Sequence, residues 1–387
     1  MQIIKIMVTG GGSSGHISPA LAIIKTLNDM SEGADWRPLF CYVGGQHGIE
    51  ERLVGAAGID FVGIATGKLR RYFDLQNVLD MLRVPLGVIQ AMAIVRAFKP
   101  HVLLSTGGYV GVPPVIAAWA QRVPILTHEQ TVQIGLANRI SARFATRIAL
   151  SFASAADELS PALRQKTLVT GNPVRPLIFG GQAVEAARMA GFAAEDAQLP
   201  TMYVTGGSQG SRLINRAIEA ALPELLQGCR IIHQCGEQPA GDEQDYARLQ
   251  GAYAALPAHL RQRYYVTRFV HDEIRHVFAL ADLVLGRAGA GTLAELCVLG
   301  LPAVYIPLVP TGGDEQTRNA RMCVSAGAAQ LIPQAELTPE RLLAVVRPLL
   351  ADRQRLHSMG QAAMTLGRPN AARDVANVLL EMAGVTR

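Results

Sequence analysis

The sequence predicts two doubly wound α/β domains, and three observations carry that prediction. Short β-rich runs alternate with helical patterns, the order that builds a parallel sheet covered by helices on both faces. The pattern restarts at mid-chain: Gly11 and Gly207, each in a glycine loop after a strand-like run, lie 196 residues apart. Between them, residues 171–181 hold Gly171, Pro173, Pro176, Gly180 and Gly181, the punctuation of a join. The chain of 387 residues, 49% hydrophobic and 17% charged, has apolar content enough for two cores.

In the first half, residues 3–9 form a β-rich run rising into Gly10–Gly15, and helical spacing follows over 19–28 through Leu21, Ile24 and Leu27. Strands are expected at 39–43, 102–105, 125–127, 148–151 and 167–169. In the second half, residues 201–205 rise into Gly206-Gly207-Ser208-Gln209-Gly210, with a helix through Ile214, Ile218 and Leu222. Strands are expected at 230–234, 265–268, 282–285, 303–306 and 330–332, then helices over 339–350 and 370–382. The expected domains are 1–170 and 171–368, with 369–387 a terminal helix packing back on the first. Ligands of such sheets bind beyond the carboxyl ends of the strands, so the two domains are expected to face one cleft.

Composition excludes several classes. The net charge of +5 is too mild for a dedicated nucleic-acid binder, and no nucleic-acid partner is expected. The five cysteines are odd in number, lack a Cys-x-x-Cys and sit in apolar runs, as reduced thiols do. The histidines show no metal-ligand spacing, so no metal is expected. The amino-terminal run reads as strand and glycine loop rather than a leader. Residues 102–121 are uncharged but hold Gly107, Gly108, Pro113 and Pro114, which suits strand-loop-helix better than a span.

Gly10-x-Gly12-x-x-Gly15 matches the dinucleotide fingerprint in form. The second strand, however, ends Tyr42-Val43-Gly44-Gly45 with no acid for a ribose, and no Walker lysine is present. Helix starts after glycines still suit anions, and three places offer one: 12–16, 206–211 and 288–292. Beyond the last, a helix over 293–299 would carry Glu295 in its first turn, where a carboxylate either accepts from a ribose diol or complements the helix dipole. The sequence has no Asp-x-Asp, so a departing diphosphate would rely on backbone N–H groups, Ser208 and a helix dipole.

Six segments in order resemble glycosyltransferase family 28, the peptidoglycan N-acetylglucosaminyltransferases. They are Gly11-Gly12-Ser13-Ser14-Gly15-His16, Gly107-Gly108-Tyr109-Val110, His128-Glu129-Gln130, Gly171-Asn172-Pro173-Val174-Arg175, Gly206–Gly210 and Arg287–Glu295. The resemblance implies a GT-B fold and inverting transfer of N-acetylglucosamine from UDP-GlcNAc to lipid I, making lipid II. It implies no cofactor, the sugar nucleotide being a substrate. Ala290, Gly291, Thr292, Leu293, Ala294 and Glu295 would wrap the nucleotide, with Glu295 on the ribose and the backbone of Val270 reading uracil. Arg175, Ser208 and Gln316 match donor positions. Ser13, Ser14 and Gly15 match the loop shared by donor and acceptor, and Gly107, Gly108 and Tyr109 the acceptor-side loop. His16 would be the general base, since a neutral imidazole suits that task near pH 7.

Three positions depart from the family pattern: Thr131 where an Asn contacts the sugar, Glu315 beside Gln316, and Ser14 in place of a glycine. A relative with another lipid-linked or small acceptor, and a UDP-GlcNAc 2-epimerase, are the alternatives. Residues 66–100 carry +4 of the chain's +5. Lys68, Arg70 and Arg71 there, interleaved with Phe73, Leu75 and Leu79, read as an interfacial patch for an anionic membrane surface. Arg139, Arg143 and Arg147 repeat at helical spacing as a second basic stripe. The expected location is peripheral, on the cytoplasmic face of the cell membrane.

Overall fold

The computed structural model describes residues 1–67, 75–237, 244–309 and 314–385, without the side chains of residues 75–82 and 244. The chain divides into two compact units: Met1–Arg175 together with Arg368–Arg387, and Pro176–Gly367.

The first unit holds a seven-stranded parallel sheet. Its strands are β1 (Gln2–Thr9), β2 (Trp36–Gly45), β3 (Phe61–Ile64), β4 (Val102–Ser105), β5 (Ile125–Glu129), β6 (Arg147–Leu150) and β7 (Thr167–Val169), in the order β3-β2-β1-β4-β5-β6-β7. The second unit holds six: β8 (Thr201–Thr205), β9 (Arg230–Gln234), β10 (Tyr264–Thr267), β11 (Leu283–Gly286), β12 (Ala303–Tyr305) and β13 (Ala329–Leu331), in the order β10-β9-β8-β11-β12-β13. Strand order reverses between β1 and β4 and again between β8 and β11. In such sheets a crevice opens at that switch point, beyond the carboxyl ends. The two glycine loops follow β1 and β8, so each lies at its sheet's switch point.

Alternation along β1 gives both faces of the first sheet a core. Ile4, Ile6 and Val8 pack with Ile17, Ile23 and Leu27 of the helix Ser14–Ser31 and with Val375 and Leu379 of the helix Ala371–Met382. Met7 faces the other way, among Val43, Leu103, Ala91, Val95 and Val115. In the second unit Met202, Val204, Ile231 and Leu285 pack with Ile214, Ile218 and Leu222 of the helix Arg212–Leu225 and with Leu342 and Val346. All five cysteines are buried and none is in a disulfide.

Four expectations need correction. The first helix begins at Ser14 rather than at residue 19, with Pro19 inside it. Proline is common at a helix start, which is why the sequence suggests a start there. Here it removes the helical donor to the Gly15 carbonyl, four residues back, and its ring crowds that carbonyl. The helix after β11 is Ala290–Leu299, so Glu295 lies past the first turn, which holds no acid. Complementing the helix dipole does not explain it. Arg147 opens β6, beyond the end of the helix Leu136–Phe144, so it shares no helical stripe with Arg139 and Arg143. It pairs with Glu381 at 3.6 Å and Arg139 with Glu158 at 2.8 Å. Finally, β3 had no counterpart in the sequence reading.

Candidate functional site

In the first unit the carboxyl ends of β1, β2, β4 and β5 bring three loops together. Gly11 N–H donates to the Gly107 carbonyl (3.2 Å), and the Thr106 hydroxyl donates to the His16 carbonyl (2.7 Å). Contact this close requires glycines. A Cβ on Gly108, whose φ is +80°, would stand 2.1 Å from the Gly11 carbonyl oxygen. One on Gly12 would meet the Tyr109 ring at 2.7 Å. Ser13, Ser14 and Gly15 are exposed, and Ser13 makes no side-chain cap, so the first N–H groups of the helix face outward.

His16 stands in the first turn of that helix, half-buried. Its Nδ1 lies 3.0 Å from the Thr106 carbonyl and 3.1 Å from Gln130 Oε1. Among the described residues Nε2 has no partner. Behind the loop, buried Glu50 accepts from Gly45 N–H (2.9 Å) and Gly12 N–H (3.4 Å). Tyr42 donates its hydroxyl to the Gly10 carbonyl at 2.6 Å, and burial pushes its phenol far up. Glu50, from the helix after the second strand, thus braces the glycine loop from inside.

Buried Glu129 organises the loop after β5. Its carboxylate accepts from Thr131 N–H (3.1 Å), the Thr131 hydroxyl (2.9 Å), Gly135 N–H (3.0 Å) and Asn138 Nδ2 (2.8 Å). The Thr131 hydroxyl is thus engaged within its own loop. Gln130 and His128, both buried, reach back toward His16. Burial lowers the His128 imidazole to about 4. Arg175 ends the first of the two segments that make up this unit.

In the second unit the loop 206–210 turns from β8 into the helix Arg212–Leu225, capped by Ser211, whose hydroxyl accepts from Ile214 N–H. Gly210 has a φ of +75°, and a Cβ there would stand 1.9 Å from the Cys235 carbonyl oxygen. Ser208 is exposed at the tip. Gln234, at the end of β9, ties the neighbourhood together: Oε1 accepts from Val270 N–H (3.0 Å) and the Tyr203 hydroxyl (3.2 Å), while Nε2 donates to the Gly207 carbonyl (3.1 Å). Val270 therefore has its N–H committed.

Ala290, Gly291 and Thr292 form the half-exposed first turn of the helix after β11. Leu293 and Ala294 turn into the core, and Glu295 is buried in the second turn. Gln316, in the first turn of the helix Glu315–Ser325, accepts through Oε1 from Leu308 N–H at 3.0 Å.

Arg287, quoted above only as part of a segment, proves central to this unit. It donates to the Ile306 carbonyl and the Ser211 hydroxyl, both at 2.8 Å. Burial lowers it to about 10, and no carboxylate among the described residues pairs with it. A positive charge without a countercharge sits where the loops after β8 and β11 meet. The signal available in the sequence was an Arg at the end of a buried strand, immediately before Ala288-Gly289-Ala290-Gly291. No group of three or more His, Cys, Asp or Glu among the described residues could hold a metal ion.

Comparison with known proteins is consistent across the chain. The glycosyltransferase family 28 N-terminal domain matches residues 6–150, and the family's C-terminal domain matches residues 201–376. A Shouchella clausii protein is 39% identical over 355 residues, 90% of this chain and 92% of its own. It is named UDP-N-acetylglucosamine–N-acetylmuramyl-(pentapeptide) pyrophosphoryl-undecaprenol N-acetylglucosamine transferase. A Treponema pallidum protein of the same name is 35% identical over 376 residues, 97% of this chain and 94% of its own. Among solved structures, Acinetobacter baumannii MurG superposes with a TM-score of 0.75 at 26% identity, covering 98% of this chain and 99% of that one.

Proposed function

This chain belongs to glycosyltransferase family 28, and on that premise we propose that it transfers N-acetylglucosamine from UDP-GlcNAc to lipid I with inversion. The observation that carries the mechanism is His16, half-buried at the carboxyl end of β1 between two glycine loops, with one ring nitrogen held by the protein. His16 Nε2 takes the proton from the muramoyl O4 hydroxyl as that oxygen bonds to C1 of the donor sugar. The bond from C1 to the β-phosphate oxygen breaks, and UDP leaves with the electron pair.

The second unit binds the donor. Glu295 accepts from the ribose diol, and the Val270 carbonyl reads the uracil N–H, its own N–H being committed to Gln234. The diphosphate faces the loop 206–210 with Ser208, the first turn at Ala290–Thr292, and Arg287. Charge growing on the leaving group meets oriented N–H groups and a guanidinium already in place. Arg175, Gln316 and Thr131 contact the donor. Ser13, Ser14, Gly15 and the Gly107–Tyr109 loop receive the acceptor. The reaction needs no cofactor. Replacing His16 with Ala lowers kcat by about 10²–10⁴ at saturating acceptor. A kcat within two-fold of wild type, measured as labelled sugar transferred to a short-chain lipid I, would refute the assignment.

We propose that the enzyme works as a peripheral protein on the cytoplasmic membrane surface, where a lipid-linked acceptor would be reached. Lys68, Arg70, Arg71 and Phe73 lie outside the described residues, as do the side chains of Leu75 and Leu79. Further along the helix Leu75–Phe98, Leu86, Ile89 and Met92 are exposed, with Arg83 and Arg96 among them. Gln121 donates to the Met92 carbonyl at 2.9 Å, tying this helix to the end of the helix Val112–Ala120, where Trp119 is 55% exposed. Apolar side chains among arginines suit the headgroup layer. No helix of the described residues is long and apolar enough to cross a membrane. The protein is expected to float with anionic liposomes at low salt, and failure to do so would remove this placement.

A further inference from the structure

His16, Thr106, Gln130, His128 and Gly171 form one hydrogen-bonded chain, and its donors and acceptors follow from chemistry alone. Carbonyl oxygens only accept. His16 Nδ1, 3.0 Å from the Thr106 carbonyl, therefore carries a hydrogen. His128 Nε2, 2.9 Å from the Gly171 carbonyl, carries one as well. The end of the Gln130 amide that lies 2.7 Å from the Thr106 carbonyl and 3.1 Å from the His128 carbonyl is the NH2. Its other end, 3.1 Å from His16 Nδ1, is then the oxygen and accepts from the same hydrogen. The NH2 also lies 3.1 Å from His128 Nδ1, the bare nitrogen of that ring. The two amide hydrogens serve three acceptors, one going to the Thr106 carbonyl and the other shared between the His128 carbonyl and Nδ1, and the assignments agree with one another.

We propose that Gln130, oriented by His128, is a positioning residue that acts with the Thr106 carbonyl to hold His16 as its Nδ1–H tautomer and so leaves the lone pair on Nε2. A reversed amide would set NH2 against Nδ1–H and its oxygen against two carbonyls. The orienting ring is itself stable: burial keeps His128 neutral, whereas a proton on its Nδ1 would oppose the Gln130 NH2. Gln130 is itself buried, so no water competes for its amide. The Thr106 carbonyl accepts from the same hydrogen, so the Gln130 oxygen adds to a preference for Nδ1–H that the carbonyl alone would hold less firmly. The catalytic meaning of this tautomer rests on His16 being the base, as read above.

The test is imidazole 15N spectroscopy of the full-length protein at pH 8, with His16→Ala identifying the His16 signals. The expected spectrum has Nδ1 protonated and Nε2 bare, whereas a dominant Nε2–H form overturns the proposal. Gln130→Leu is expected to mix the tautomers and to lower kcat about tenfold, with KM for UDP-GlcNAc within about two-fold. That loss is about 1.4 kcal/mol of barrier. Gln130→Leu with the wild-type tautomer and kcat also overturns the proposal. If that variant does not fold, the wild-type spectrum alone decides. Gln130→Glu sets a carboxylate against Nδ1–H, favours the imidazolium, and moves the acidic limb of the pH–rate profile upward. Should His16→Ala retain kcat while the wild-type spectrum shows Nδ1–H, the base assignment fails and the tautomer stands.

Discussion

Gly108→Ala separates two costs that glycine avoids in the acceptor-side loop. The backbone at Gly108 has φ +80° and ψ 157°, a region open essentially to glycine alone. Occupying it with an L side chain costs about 1–3 kcal/mol. The added Cβ would also stand 2.1 Å from the Gly11 carbonyl oxygen and 3.1 Å from His16 Cδ2. Ordinary contact begins near 3.4 Å, so the two loops must part by about 1 Å. A displacement of about that size at a reacting centre can reduce the rate about 10²-fold. Gly58→Ala is the control: φ is +69° there, and nothing lies within 4 Å of the new Cβ. The control is expected to lose about 1–2 kcal/mol from backbone strain alone and to keep its kcat. Gly108→Ala is expected to lose about 3 kcal/mol or more and about 10²-fold in kcat. Urea midpoints and sugar transfer to a short-chain acceptor measure both. If Gly108→Ala matches Gly58→Ala in stability and rate, the close packing of these loops does not govern the site.

Two further outcomes follow from buried titratable groups. His128 and His233 are held neutral by burial at about 4 and about 3, below the unfolded value near 6.5. Their contribution to stability is full above about pH 6.5 and is lost as the pH falls toward those values, because the unfolded chain binds the extra protons. For His128 this is roughly 3 kcal/mol, so urea midpoints should fall between pH 7 and 5, and a flat line would refute it. Arg287→Ala should weaken UDP binding about 10–100-fold by calorimetry, as loss of charge-assisted hydrogen bonds does. Arg287→Lys should restore only part of it, since an ammonium cannot serve both the Ile306 carbonyl and the Ser211 hydroxyl as a guanidinium fork does. Unchanged UDP affinity in Arg287→Ala would refute that role.

Glycine loops after buried strands are legible in sequence because both signals are local. The runs before Gly10 and Gly206 are β-rich, and most of the glycines that follow have a positive φ or no room for a Cβ. The switch points came with them. What escaped is set by tertiary context. The strand Phe61–Ile64 has four residues, lies at the sheet edge and contains Gly63, so neither periodicity nor burial marks it. Pro19 resembles a helix start because its ring suits one, yet the helix runs five residues further back and carries His16 with it. Glu50, Glu129 and Arg287 look like ordinary surface charges in the sequence. Their roles depend on N–H groups, hydroxyls and carbonyls that meet only after folding. Gln130 is the plainest case: in the sequence it is one member of the run His128-Glu129-Gln130, and its task appears only once His16, 114 residues away, is brought within 3.1 Å.

The helix Ala371–Met382 belongs to the unit that Met1 opens, although the residues before it belong to the other. In sequence, the second unit is an insertion into the first. During synthesis Val375, Ala376, Leu379 and Leu380 emerge long after the strand and helix they cover. Until then Ile4, Ile17 and Ile23 wait with an incomplete cover, while residues 176–367 already have all their partners. The nascent chain thus finishes its second unit before its first, and a chain that ends soon after residue 367 leaves the unit that carries His16 incomplete.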